Sequence, residues 1–157
     1  PMLRLSVGRA GPPLLPSPPM TFPACTKAGG MALAFPDVCK IPAPPAPPIP
    51  VPFPNIAQLA QADGGTCTDK VKIVGQPAVT KATEIPKTQG DEAGTLKGVS
   101  SNTNMDKGTM KAAVSKVKMQ GNEAMNMLKP TAQNGASANA PGGTILAPSQ
   151  SKVLISG

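Results

Sequence analysis

Three short stretches of the chain share one alternating pattern. Asp69-Lys70-Val71-Lys72-Ile73-Val74-Gly75 recurs as Ser115-Lys116-Val117-Lys118-Met119-Gln120-Gly121, and again as Ser151-Lys152-Val153-Leu154-Ile155-Ser156-Gly157. Apolar positions two apart point to one face of a strand, and the residue between them to the other. Each copy therefore predicts a strand, over 70–75, 116–121 and 152–157, presenting Val71 and Ile73, Val117 and Met119, or Val153 and Ile155 to a core. The closing Gly supplies a residue free to take positive φ. The copies begin 46 and 36 residues apart. The first two also continue alike, with Ala78-Val79 beside Ala124-Met125. No unit has enough apolar surface to fold alone, so the pattern predicts units packed about a shared axis. The expected fold is all-β: a small conical, pseudo-threefold repeat of short strands joined by Pro/Gly-rich loops.

Outside the repeats the chain reads differently. Residues 1–19 are Pro-rich without periodicity and are expected as a flexible extension ahead of one domain over 20–157. From Pro42 to Pro54 prolines fall at close intervals, fixing φ and removing backbone donors. Such a segment is extended or polyproline-like and cannot be a central strand. A short helical turn from Asn55 to Ala60, with Asn55 as N-cap, is expected to follow it.

Composition narrows the function classes. The chain has 157 residues, with 16 Gly and 21 Pro, which by itself would suggest disorder. Disorder, however, predicts no phase-locked repeat of Val, Ile and Gly. With no Trp or Tyr and only Phe22, Phe35 and Phe53, any core is built from aliphatic side chains and is thin. The formal charge of +7 rests on lysines spread singly rather than in a run. No ring lies beyond Phe53 to stack on bases, so nucleic-acid binding is not expected. The absence of His removes the usual general base and every Ser-His-Asp or Cys-His constellation. Asp91-Glu92, held between Gly90 and Gly94, reads as a solvated turn. No phosphate-binding glycine loop is present. A non-enzymatic protein is expected. Cys25, Cys39 and Cys67 have no CxxC spacing; one disulfide with a free thiol and three reduced thiols both fit. No apolar run approaches the ~20 residues of a membrane span.

With these residues in hand, the chain from about Met31 onward resembles the PAAR-like proteins of bacterial type VI secretion clusters. The resemblance rests on Phe35-Pro36-Asp37-Val38-Cys39-Lys40, the ladder ending Pro52-Phe53-Pro54-Asn55-Ile56-Ala57, and Lys70-Val71-Lys72-Ile73. It continues through Gly90-Asp91-Glu92-Ala93-Gly94, Asn139-Ala140-Pro141-Gly142-Gly143 and Pro148-Ser149-Gln150-Ser151-Lys152-Val153-Leu154-Ile155. It implies a β-rich cone, one copy per trimer, seated on the distal end of a VgrG-type trimeric spike. Such a cone sharpens the spike for membrane puncture and serves as a place to recruit an effector or its chaperone. It also implies synthesis in the cytoplasm of the producing bacterium, export with the spike and transient membrane contact on firing. A threefold repeat is what a monomer needs to match a trimer. Ile49, Val51 and Phe53 are the expected base contacts. The repeat reaches Gly157, so an effector is expected on a separate chain. Typical members hold a metal near the vertex through three His and one Cys, a site this chain cannot form; no metal and no cofactor are expected, a Cys-only site from Cys25, Cys39 and Cys67 with an open fourth position being the alternative. A proline-rich adaptor or envelope-associated binding protein is the alternative reading.

Overall fold

The computed structural model describes residues 15–157; residues 1–14, most of the expected extension, lie outside the described residues. The fold is all-β. In chain order the strands are β1 (Thr21–Pro23), β2 (Met31–Ala43), β3 (Ala46–Gln58), β4 (Lys72–Ile73), β5 (Gln76–Pro77) and β6 (Glu84–Ile85). They continue as β7 (Gly108–Met110), β8 (Val114–Met119), β9 (Asn122–Ala124), β10 (Pro130–Gln133), β11 (Ala140–Ala147) and β12 (Leu154–Ser156).

One six-stranded antiparallel sheet, ordered β3-β2-β11-β10-β7-β6, carries the long hairpin β2–β3. The proline ladder is β3, and it lies at the sheet's edge, where a residue without an N–H costs no ladder bond. Pro50 faces Lys40 and Pro52 faces Val38 across the hairpin. The expected helical turn at 55–60 does not form. Asn55 through Gln58 stay in the ladder opposite Ala34 through Met31, and only Leu59–Gln61 turns, as a 3-10 helix. Asn55 is buried instead of capping a helix.

The three repeats lie in three separate two-stranded sheets, β4–β5, β8–β9 and β1–β12. Two of these arms close through tight turns. Val74 and Gly75 both have positive φ, as do Gln120 and Gly121, and two successive positive φ angles are the mark of a type I′ turn. The third arm has no turn, because its strands come from opposite ends of the described chain: Thr21 pairs with Ser156 and Pro23 with Leu154.

What unites the arms is a ring of backbone hydrogen bonds. Cys25 N donates to Met125 O at 2.8 Å, Met125 N to Val79 O at 3.1 Å, and Val79 N to Cys25 O at 2.9 Å, so the cycle closes. A second cycle surrounds it: Lys27 N to Pro77 O, Lys81 N to Glu123 O and Met127 N to Pro23 O, each at 2.9 Å. The bridges Ala24↔Asn126, Thr26↔Ala78 and Thr80↔Ala124 repeat the same cyclic order. This is a pseudo-threefold axis written in main-chain bonds.

Because neighbouring residues of an extended segment face opposite ways, the ring separates two apolar clusters. Ala24, Ala78 and Ala124 face one, with Ile73, Val114 and Ile155; Cys25, Val79 and Met125 face the other, with Ala32, Ala57, Leu59, Ile85 and Ile145.

Candidate functional site

Two features stand out: the face formed by the three arms, and a buried polar cluster farther along the long hairpin. On the arms, Ile73 and Ile155 are buried in the shared cluster at 7% and 5% exposure, and Val117 and Met119 pack against it. Val71 and Val153, expected to fill the same axis, stand outside the cluster. Val71 is half-buried and is held through its carbonyl, which accepts from Thr68 Oγ1. Val153 is 39% exposed; Gln150 clasps its backbone, accepting from Val153 N and donating to Val153 O. In both, the main chain is what the fold uses.

The arms also display Lys70, Lys116 and Lys152 at equivalent repeat positions, with Lys72 and Lys118 two residues on from the first two. All five are exposed, and none has a carboxylate partner among the described residues. Exposed apolar side chains accompany them: Val74 at 49% and Leu154 at 54%. Ile49, Val51 and Phe53 lie elsewhere. Strand β3 sets them opposite Ile41, Cys39 and Asp37, on the half of the hairpin leading away from the apolar core that backs the arms.

The polar cluster is built from residues far apart in sequence. Asp37 and Cys39 come from β2, Asn55 from β3, Asp91 from the loop after β6, and Asn134 and Asn139 from the connection between β10 and β11. All six are buried. Asp37 follows the ring residue Cys25 by twelve positions, and Asp91 follows the ring residue Val79 by the same interval. Asp91, read from the sequence as part of a solvated turn, is fully buried; Met105 N donates to its Oδ2 at 2.9 Å. Its glycine neighbour is needed for packing rather than for exposure, since a side chain on Gly94 would run into Cys39.

Burial pushes the Asp91 carboxyl above its ordinary range, against the pull of the Met105 N–H, and the Asp37 charge adds to the rise. Burial likewise raises the Cys39 thiol to about 12, with both carboxylates adding to it. That thiol is therefore protonated at neutral pH, and it lies 3.5 Å from Asp37 Oδ1. Cys25, in the ring, is also raised to about 12 by burial. All three cysteines are free.

Residues 30–142 match the family model described as Toxin PAAR-like domain. The chain belongs to that family. As a PAAR-like domain it is linked to toxin-associated proteins, and the match spans the polar cluster and two of the three arms, leaving β1 and β12 outside. No curated protein and no solved structure matches the chain. Among the described residues, Asp37, Cys39 and Asp91 bring potential metal-ligand atoms within 4.8 Å of one another.

Proposed function

We propose that this protein is a non-enzymatic cap that docks one copy onto the distal end of a VgrG-type trimeric spike of a type VI secretion machine. The observation that carries the reading is the closed ring Cys25–Met125–Val79. A monomer can meet a trimer favourably on all three protomers only if it repeats its own contact surface three times. The ring makes the three arms near-equivalent, and the family membership supplies the secretion context.

In this reading the docking face lies on the arms, at Val74, Gln120 and the Ser156-Gly157 end, rather than at Ile49, Val51 and Phe53. Lys70, Lys116 and Lys152 would meet carboxylates presented three times by the partner, which speeds encounter and fixes register more than it adds affinity. A contact of ordinary size would bury on the order of 1,600 Å² in total. The exposed proline half of the long hairpin would stand away from the spike, free for an effector or chaperone. The protein would be made in the cytoplasm and leave with the spike.

Mixing the purified chain with a VgrG-type trimer and weighing the complex in solution tests this. One chain per trimer is expected, with binding weakened by salt and by the Lys70→Glu/Lys116→Glu/Lys152→Glu triple variant. No complex at micromolar concentration, or three chains per trimer, would overturn it.

A further inference from the structure

The polar cluster gathers two carboxylates and a thiol, which invites the question of whether it binds a metal. The donor chemistry answers against it. A cation site needs acceptors turned inward, whereas here amide nitrogens are turned inward. Asn134 Nδ2 stands in the middle: it is 3.2 and 3.0 Å from the two Asp37 oxygens, 2.8 Å from Asp91 Oδ2 and 3.7 Å from Cys39 Sγ. These are donor–acceptor separations, well beyond the ~2.0–2.3 Å of zinc and the ~2.3–2.6 Å of calcium.

The orientation of that amide is fixed from behind. Asn134 Oδ1 accepts from Asp106 N, with the Thr103 hydroxyl also within reach, so turning the oxygen inward would strand the Asp106 N–H. Asn139 is held the same way. Its Oδ1 accepts from Ser100 N at 2.8 Å and Ser101 N at 3.3 Å, while its Nδ2 donates to Asp37 Oδ1 and Val38 O. Asn55 Nδ2 donates to Asp37 Oδ2 and Asp91 Oδ1. Its own Oδ1 is buried without a partner, and the reversed orientation would set that oxygen against both carboxylates. A buried anion needs either an opposite charge or a full set of donors. No lysine or arginine pairs with Asp37 or Asp91 among the described residues, so the donors must serve.

We propose that the cluster is a metal-independent plug, in which the Asn134 amide nitrogen occupies the place of a bound cation and ties Asp37, Asp91 and Cys39 together. The protein therefore keeps this cluster intact where metal is scarce or chelated. Replacing Asn134 by Asp would remove the central donor and add a third carboxylate, turning the plug into a cation site.

The test loads the wild-type chain with Zn²⁺, removes unbound metal, and reads metal per chain by mass spectrometry and the melting temperature with and without EDTA. Well under one zinc per chain and an EDTA-insensitive melt are expected. In Asn134→Asp, a lowered melt that Zn²⁺ or Mn²⁺ raises and EDTA lowers again is expected. Stoichiometric zinc in the wild type, with a melt that falls when it is removed, would overturn the proposal. So would an Asn134→Asp variant that melts like wild type and ignores metal. If that variant does not fold, Cys39→Ser decides: a protonated thiol predicts a small shift in melting, a metal-bound thiolate predicts a large loss.

Discussion

If the three arms share one axis, Ile73 and Ile155 are energetically one site although they are distant in sequence and sit in different sheets. Each Ile→Ala change removes three buried carbons, about 2.4 kcal/mol at ~0.8 kcal/mol per methylene. The cavity left behind raises the expected cost to about 3–4 kcal/mol, within the usual range for such truncations. Ala24, Ala78 and Ala124, which share the cluster, are too small to refill the space. When both isoleucines are cut, the two cavities merge and the surviving wall can relax once instead of twice. The double variant should therefore depart from additivity by about 0.5–3 kcal/mol. Urea unfolding at equilibrium reads this, with midpoint and slope followed separately. A domain of this size has about 5–15 kcal/mol to lose. Pairing Ile73→Val with Ile155→Ala keeps the sum inside that margin if the double alanine variant unfolds. Ile85 is the control, since it belongs to the cluster across the ring. Its truncation should add to that of Ile73 within about 0.5 kcal/mol, as independent sites do. If Ile73 and Ile155 proved additive to within about 0.3 kcal/mol, the tolerance of uncoupled sites, the shared axis would be refuted.

Two further outcomes follow from the buried titratable groups. Asp91 holds its proton more tightly folded than unfolded, so its contribution to stability is present below the ordinary value of 3.8 and is lost as pH rises through the raised one. The urea midpoint of Asp91→Asn should accordingly gain on wild type between acid and neutral pH; a gap that moves the other way contradicts the assignment. Among the thiols, Cys25 and Cys39 are raised to about 12 and fully buried, while Cys67 is half-buried. A disulfide reagent at neutral pH should titrate no more than the Cys67 thiol in the native protein, and all three in denaturant. Rapid native reaction of Cys39 would show that it is a thiolate.

The arms were legible because alternation within a strand is local: Val-x-Ile and a following Gly can be read in one short window. The third arm was only half legible. Its partner strand repeats the same wording, Pro23-Ala24-Cys25-Thr26-Lys27 beside Pro77-Ala78-Val79-Thr80-Lys81, but stands before its mate in the chain instead of after it. That signal was present and could have been found. The central residues of the ring, Cys25, Val79 and Met125, have no chemical likeness beyond being apolar, since the ring is made by main-chain atoms. The polar cluster was the least legible. Asp37, Asn55, Asp91, Asn134 and Asn139 are turn-forming residue types that sequence places on the surface by default, and only long-range packing brings them together. For Asp91 the flanking glycines pointed to an exposed turn, whereas Gly94 is small because Cys39 lies against it. Ile49, Val51 and Phe53 were singled out for their apolar character among prolines, and the half of the hairpin they occupy is set by long-range pairing that no local window shows.

The unclosed arm has a practical consequence. Gly157 and Met20 flank the paired ends of β12 and β1, where the sister arms have a two-residue turn. In a version that starts at Met20, a short linker there should close the third arm, and cutting instead at Gly75 or Gly121 should give rearranged chains with the same architecture. Conversely, chain leading into β1 and chain leading out of β12 meet at one seam, the single arm that no turn closes.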